Sequence, residues 1–80
     1  MISSAQCRAA RGLLGWTQQQ LAIAARIGVI TVHQLESGVS KPRITTLEVV
    51  RRALENAGVQ FIEENGGGPG VRLRKPRKPK

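Results

Sequence analysis

Aspartate and tyrosine are absent from this 80-residue chain, and tryptophan, phenylalanine, histidine and cysteine occur once each. A single cysteine rules out an internal disulfide and fits a reducing compartment. Cys7 therefore reads as a small hydrophobe, buried or half-buried. Two aromatics, Trp16 and Phe61, are too few to build the stacking platforms that hold single-stranded nucleic acid. His33 has no second histidine and no aspartate to share a metal with, so no metal and no cofactor are expected. Paired catalytic carboxylates, a nucleophile beside a base and a phosphate-cradling loop are likewise missing, which argues against an enzyme. "NGGGPG" is glycine-rich, but it opens no helix after a strand and reads as a turn. No apolar run is long enough to span a membrane, and "MISSAQCRAARG" lacks the apolar core of a signal peptide. A cytoplasmic protein with no membrane partner is expected. The length allows one domain with a small core.

Cations are plentiful. Thirteen Lys and Arg against five Glu give a formal charge of +8. Residues 1–43 carry Arg8, Arg11, Arg26, Lys41 and Arg43 against Glu36 alone. Residues 44–71 are acidic, with Glu48, Glu55, Glu63 and Glu64 against Arg51 and Arg52. Residues 72–80 are basic without exception among their charged positions. Such a chain is drawn to polyanions, with nucleic acid first and an anionic membrane surface second.

Helix signals come early. Ser3 followed by Gln6 makes a capping box for a first helix over Ser3–Leu14, with Cys7, Ala10, Leu13 and Leu14 on one side and Gly15 as the stop. Thr17 and Gln20 make a second capping box. Trp16 before the cap and Leu21 at the fourth helical position form a hydrophobic staple. That helix runs to about Ala25. A third follows from about Gly28 to Ser37, with Val32, Leu35 and Glu36 on one side and Val29, Ile30, His33 and Gln34 on another. Gly38 ends it, and "VSKPR" is a loop. A fourth helix over about Thr45–Ala57 is expected to start on a Thr45–Glu48 capping box. It buries Leu47, Val50 and Leu54, turns Arg51, Arg52 and Glu55 to water, and ends near Gly58. The period then changes to two: "VQFIEE" and "VRLR" flank the glycine-rich turn as a β-hairpin. "KPRKPK" has no apolar residue and reads as a disordered basic tail. The expected fold is mainly α, a four-helix domain over residues 1–58, followed by a hairpin extension over 59–74 and a tail over 75–80.

"CRAARGLLGWTQQQLAIAA…TVHQLESG…KP…TLEVVRRAL" resembles the DNA-binding domain of the phage repressor and Cro-like group, the XRE-type helix-turn-helix family. The resemblance covers about residues 4–57. It rests on an Arg in the first helix, a "W-T-Q-x-x-L-A" start to the second, an "L-E-S-G" end to the third, and a Pro before an amphipathic fourth. "GVQFIEENGGGPGVRLRK" also looks like an extension found on small bacterial proteins of this type. The resemblance implies a structural ion pair between Arg11 and Glu36. It allows two alignments of the turn. One places Gly28-Val29 within it and shortens the third helix by two residues. The preferred one counts back from Glu36, puts Arg26 at the usual turn glycine and Gly28 at the cap, and requires a positive φ of Arg26.

By that resemblance the third helix enters the major groove of double-stranded DNA. Base contacts are expected from Val29, Ile30, Thr31, His33 and Gln34. Phosphate contacts are expected from Gln18, Ser37, Lys41 and Arg43. A homodimer on two half-sites follows from the small footprint of one copy, with the hairpin as its interface, since hairpin edges invite pairing. The expected function is sequence-specific DNA binding as a bacterial transcriptional regulator. Two competing readings remain: an antitoxin that binds a partner toxin and autoregulates its operon, and an architectural or RNA-binding protein acting through its tail.

Overall fold

A computed structural model describes residues 2–39 and 41–74. The expected tail over 75–80 lies outside the described residues. Four helices precede two strands: α1 (Ser4–Leu14), α2 (Gln18–Ala25), α3 (Val29–Ser37), α4 (Ile44–Asn56), β1 (Val59–Ile62) and β2 (Gly70–Leu73).

Both early capping boxes form. The Ser3 hydroxyl accepts from the Gln6 amide while the Gln6 side chain accepts from the Ser3 amide, and Thr17 and Gln20 repeat the arrangement. Each box satisfies two amide donors that the first helical turn otherwise leaves unpaired. Helices α1 and α2 also end alike. After α1, the Trp16 amide donates to the Arg11 carbonyl and the Gly15 amide to the Gly12 carbonyl, with Gly15 at φ 67°. After α2, Ile27 donates to Ala22 and Arg26 to Ile23, with Arg26 at φ 59°. This is the Schellman arrangement, in which the residue after the helix turns left-handed to cap two free carbonyls. Trp16 and Ile27 follow the left-handed residue in the two cases, and both pack against the core.

Arg26 is the single non-glycine residue with positive φ among the described residues. Its Cβ crowds the neighbouring carbonyl there, at roughly 1–2 kcal/mol. Because its side chain is exposed, Arg26→Gly relieves that strain and sacrifices little packing. After the extra unfolded-state freedom of glycine is subtracted, a gain of about 0.5–1 kcal/mol is expected, raising Tm by several degrees for a domain this small. An unchanged or lower Tm in calorimetry counts against a strained Arg26.

Gly28 caps α3 in extended conformation with no side-chain hydrogen bond. The start of α4 differs from the sequence expectation. The helix begins at Ile44 with Arg43 as N-cap, and the Leu47 amide donates to the Arg43 carbonyl at 3.1 Å. Thr45 thus lies inside the first turn and caps nothing. Starting at Ile44 adds backbone hydrogen bonds that a Thr45 cap would forgo, the first from Leu47 to Arg43, and these outweigh one side-chain cap.

The core gathers Cys7 and Ala10 of α1, Leu21 and Ala22 of α2, Val32 and Leu35 of α3, and Leu47, Val50 and Leu54 of α4. Val59 and Phe61 of β1 belong to the same cluster, with Val71 and Leu73 of β2 packed against it. The strands are antiparallel, Phe61 opposite Val71 and Gln60 opposite Arg72. Their inner face lies on α1 and α4. Two side chains hold the sheet in place. The Gln6 amide of α1 donates to the Gly70 carbonyl at 3.0 Å and the Ile62 carbonyl at 3.4 Å. The Arg51 guanidinium of α4 lies 5.5 Å from the centre of the Phe61 ring, within range for a cation–π contact.

Candidate nucleic-acid interface

The Glu36 carboxylate lies at the junction of three helices. It is 3% exposed. Arg11 donates to it twice, through Nε at 2.9 Å and Nη2 at 3.0 Å, in the fork geometry of a bidentate pair. Gln18 Nε2 donates at 3.1 Å and Cys7 Sγ at 3.5 Å. Arg11 reaches on to the Trp16 carbonyl at 2.9 Å. One carboxylate thereby ties α1, the turn before α2, and α2 itself to the end of α3. Burial alone pushes the Glu36 pKa up, but the hydrogen bonds from Arg11 and Gln18 and the Arg11 charge outweigh it and hold the group below its ordinary 4.5.

Two further α1 side chains grip the C-terminus of α3. Ser4 Oγ donates to the Leu35 carbonyl at 2.7 Å, and the Arg8 guanidinium donates to the Glu36 carbonyl. A cation at this end also suits the negative end of the helix dipole. Sequence reasoning missed Ser4 and Arg8, although Ser4, Arg8 and Arg11 recur at i, i+4 and i+7 on one stripe of α1.

Cys7 is fully buried. Desolvation first, then the Glu36 charge and hydrogen bond, push its thiol from 9.0 up to about 12. The thiolate is the nucleophile, so the folded protein should be inert to a thiol-specific disulfide reagent near pH 8 and react promptly once unfolded in urea. Equal rates in the two states would contradict a buried, neutral thiol. With a folded pKa above the unfolded one, this thiol's contribution to stability is complete below pH 9 and is lost as pH rises toward 12.

With its end fixed, α3 buries Val32, Leu35 and Glu36 and turns the opposite side outward. Ile30 is 70% exposed and Val29 38%. His33 and Gln34 are exposed and Thr31 is half-buried. Thr31 and Gln34 line a groove of about 340 Å³ together with Lys41, Pro42, Arg43 and Thr46. The groove therefore brings two residues expected at bases beside two cations expected at phosphates. The other expected site residues lie apart from it. Ser37 is exposed, with its hydroxyl donating to the Gln34 carbonyl at 2.9 Å. Gln18 is half-buried and directs its amide at Glu36. Among the described residues, no helix is long and apolar enough to cross a membrane.

A family model described as helix-turn-helix matches residues 8–57, the span from Arg8 through α4. No curated protein matches the chain.

Proposed function

Since the chain belongs to the XRE-type helix-turn-helix family of DNA-binding transcriptional regulators, we propose that it binds double-stranded DNA sequence-specifically, with α3 in the major groove. The observation that carries this reading is the groove between α3 and the loop that leads into α4. It places Thr31 and Gln34 beside Lys41 and Arg43, so one face combines groups that can meet base edges with charges that can meet phosphates. Gln34 has the amide that pairs with adenine, and Thr31 can serve a base or a phosphate. Val29, Ile30 and His33 share the outward face of α3 and complete the base-reading set. Ser37 joins Lys41 and Arg43 in backbone contacts. Gln18 acts there only if its amide serves a phosphate while its bond to Glu36 persists.

Selection of bound duplexes from a random pool at moderate salt tests the reading. A recurring consensus is expected, and no enrichment would sink sequence-specific regulation. Affinity for the selected site should fall on a log–log plot against salt with a slope of about −0.9 per phosphate neutralised. One copy has a small footprint, so a homodimer on two half-sites about 34–36 Å apart is part of the proposal. A single asymmetric half-site in the consensus would count against it. The hairpin is the proposed dimer interface. Its edge amides should then exchange more slowly as the full-length protein is concentrated. A dimer in sedimentation without that protection places the contact elsewhere.

Exposed Val39 and Ile44, at 86% and 59%, favour a second reading as an antitoxin that covers them with a partner toxin. A small protein co-purified from the native host, and released by Val39→Ser with Ile44→Ser, would support it. Release unaffected by that pair would refute it.

A further inference from the structure

The first turn of α3 has an unusual reading edge. Gly28 contributes no side chain. Val29 and Ile30 are hydrocarbon and open to water at 38% and 70%. Thr31 is the first side chain able to hydrogen-bond. No acid faces outward from α3, because its one carboxylate, Glu36, is buried against Arg11. The neighbouring groove carries Lys41 and Arg43. An apolar edge with cationic neighbours and no anion suits a polyanion that offers apolar groups. It does not suit an uncharged protein helix.

The major groove offers one apolar feature, the methyl group on pyrimidine C5. Any other base edge set against Ile30 would lose water from a donor or acceptor and gain no partner, which is unfavourable. We infer that Ile30, with Val29 beside it, reads the C5 methyl group. The protein then recognises 5-methylpyrimidines, thymine and 5-methylcytosine alike, and discriminates against uracil and unmodified cytosine. This rests on the major-groove reading proposed above. Thymine and 5-methylcytosine carry the methyl at the same place and differ at C4, an acceptor in one and a donor in the other. The Thr31 hydroxyl follows next on the helix and can donate or accept. It tolerates either base where a donor-only lysine or an acceptor-only carboxylate would choose. Cytosine methylation within a site would accordingly strengthen binding.

The test uses the full-length protein and the duplex recovered by selection. Each thymine is replaced in turn by deoxyuridine, which removes one methyl and leaves every hydrogen-bonding group in place. At one or two positions the dissociation constant should rise about fourfold, the equivalent of roughly 0.8 kcal/mol for one buried carbon. At the same positions a 5-methylcytosine–guanine pair should bind about fourfold tighter than a cytosine–guanine pair. Ile30→Ala should reduce both ratios to near one, with circular dichroism confirming an unchanged fold. Deoxyuridine without effect at every position overturns methyl reading and leaves the selected consensus, and so sequence-specific binding, standing. A methyl effect that survives undiminished in Ile30→Ala and in Val29→Ala also overturns it, since another residue would then be the reader. If selection enriches nothing, sequence-specific binding fails and this inference fails with it.

Discussion

Replacing Arg11 with Met should lower the unfolding free energy by about 3–5 kcal/mol near neutral pH, the usual cost of stranding one partner of a buried pair. A domain of this size has roughly 4–12 kcal/mol in all, so the variant should approach the edge of folding. The loss comes mainly from the carboxylate left behind. Glu36 is 3% exposed and would keep only Gln18 and Cys7 as side-chain donors. The pH dependence should also reverse. In the native protein the folded pKa of Glu36 lies below its ordinary 4.5, so the pair's contribution is present above that pH and is lost as pH falls through the folded value. Without Arg11, burial becomes the dominant influence and raises the folded pKa. The variant should then be relatively more stable in acid and lose stability as pH rises past the ordinary value. Urea titrations between about pH 3 and pH 8 read both slopes. A variant that loses less than about 1 kcal/mol, or that keeps the native slope, would show that the pair is hydrated and dispensable. Arg11→Met combined with Glu36→Leu separates charge from shape: replacing both partners by apolar groups is often neutral or stabilising, so much of the stability should return.

The pair also marks how far the sequence could be read. Caps are local, and they were legible because donor and acceptor lie three residues apart: Ser3 with Gln6 and Thr17 with Gln20. The left-handed Arg26 was reached through the family resemblance, by counting back from Glu36. The hairpin was legible from the change of period to two. The ion pair was reached through the family resemblance, because no local rule joins residues 25 apart in the chain. The remaining ties of α1 were not legible. Ser4 caps a carbonyl 31 residues away, and Gln6 holds a strand 64 residues away. In sequence Gln6 figured only in its capping box with Ser3. Its carbonyl oxygen does serve the cap, but its amide remains free to donate, and the fold uses both ends. The start of α4 was misread as well, because the Thr45–Glu48 capping pattern pointed two residues beyond Arg43, the cap that the helix uses. At the interface, residue types were legible and their grouping was not. Only the three-dimensional course of the loop that leads into α4 shows that Thr31 and Gln34 share a groove with Lys41 and Arg43.

A chain truncated after Gly58 should be largely unfolded, although it retains every residue matched by the family model. Val59 is 1% exposed and Phe61 8%, both within the core formed by the four helices. Burial of each is worth roughly 1.5–3 kcal/mol, so losing the two costs about 3–6 kcal/mol, a large share of the total for so small a domain. Leu54 and Val50, now fully buried, share that core and would lose packing partners. Far-ultraviolet circular dichroism should show most of the helical signal gone, and urea unfolding should show no sharp transition. Removing residues 75–80 alone takes away four cations and no apolar side chain of the AVILMFWYC set. That shorter cut should leave stability unchanged and make DNA affinity less sensitive to salt. A 1–58 chain that unfolds cooperatively near the full-length midpoint would mean the helices form a self-sufficient unit and the hairpin is an appendage. If it unfolds as expected, loss of dimerisation or DNA binding on truncation reports lost folding and says nothing about an interface. Hairpin pairing between copies must then be sought in the intact chain, through the edges of β1 and β2, while their inner faces remain committed to the core.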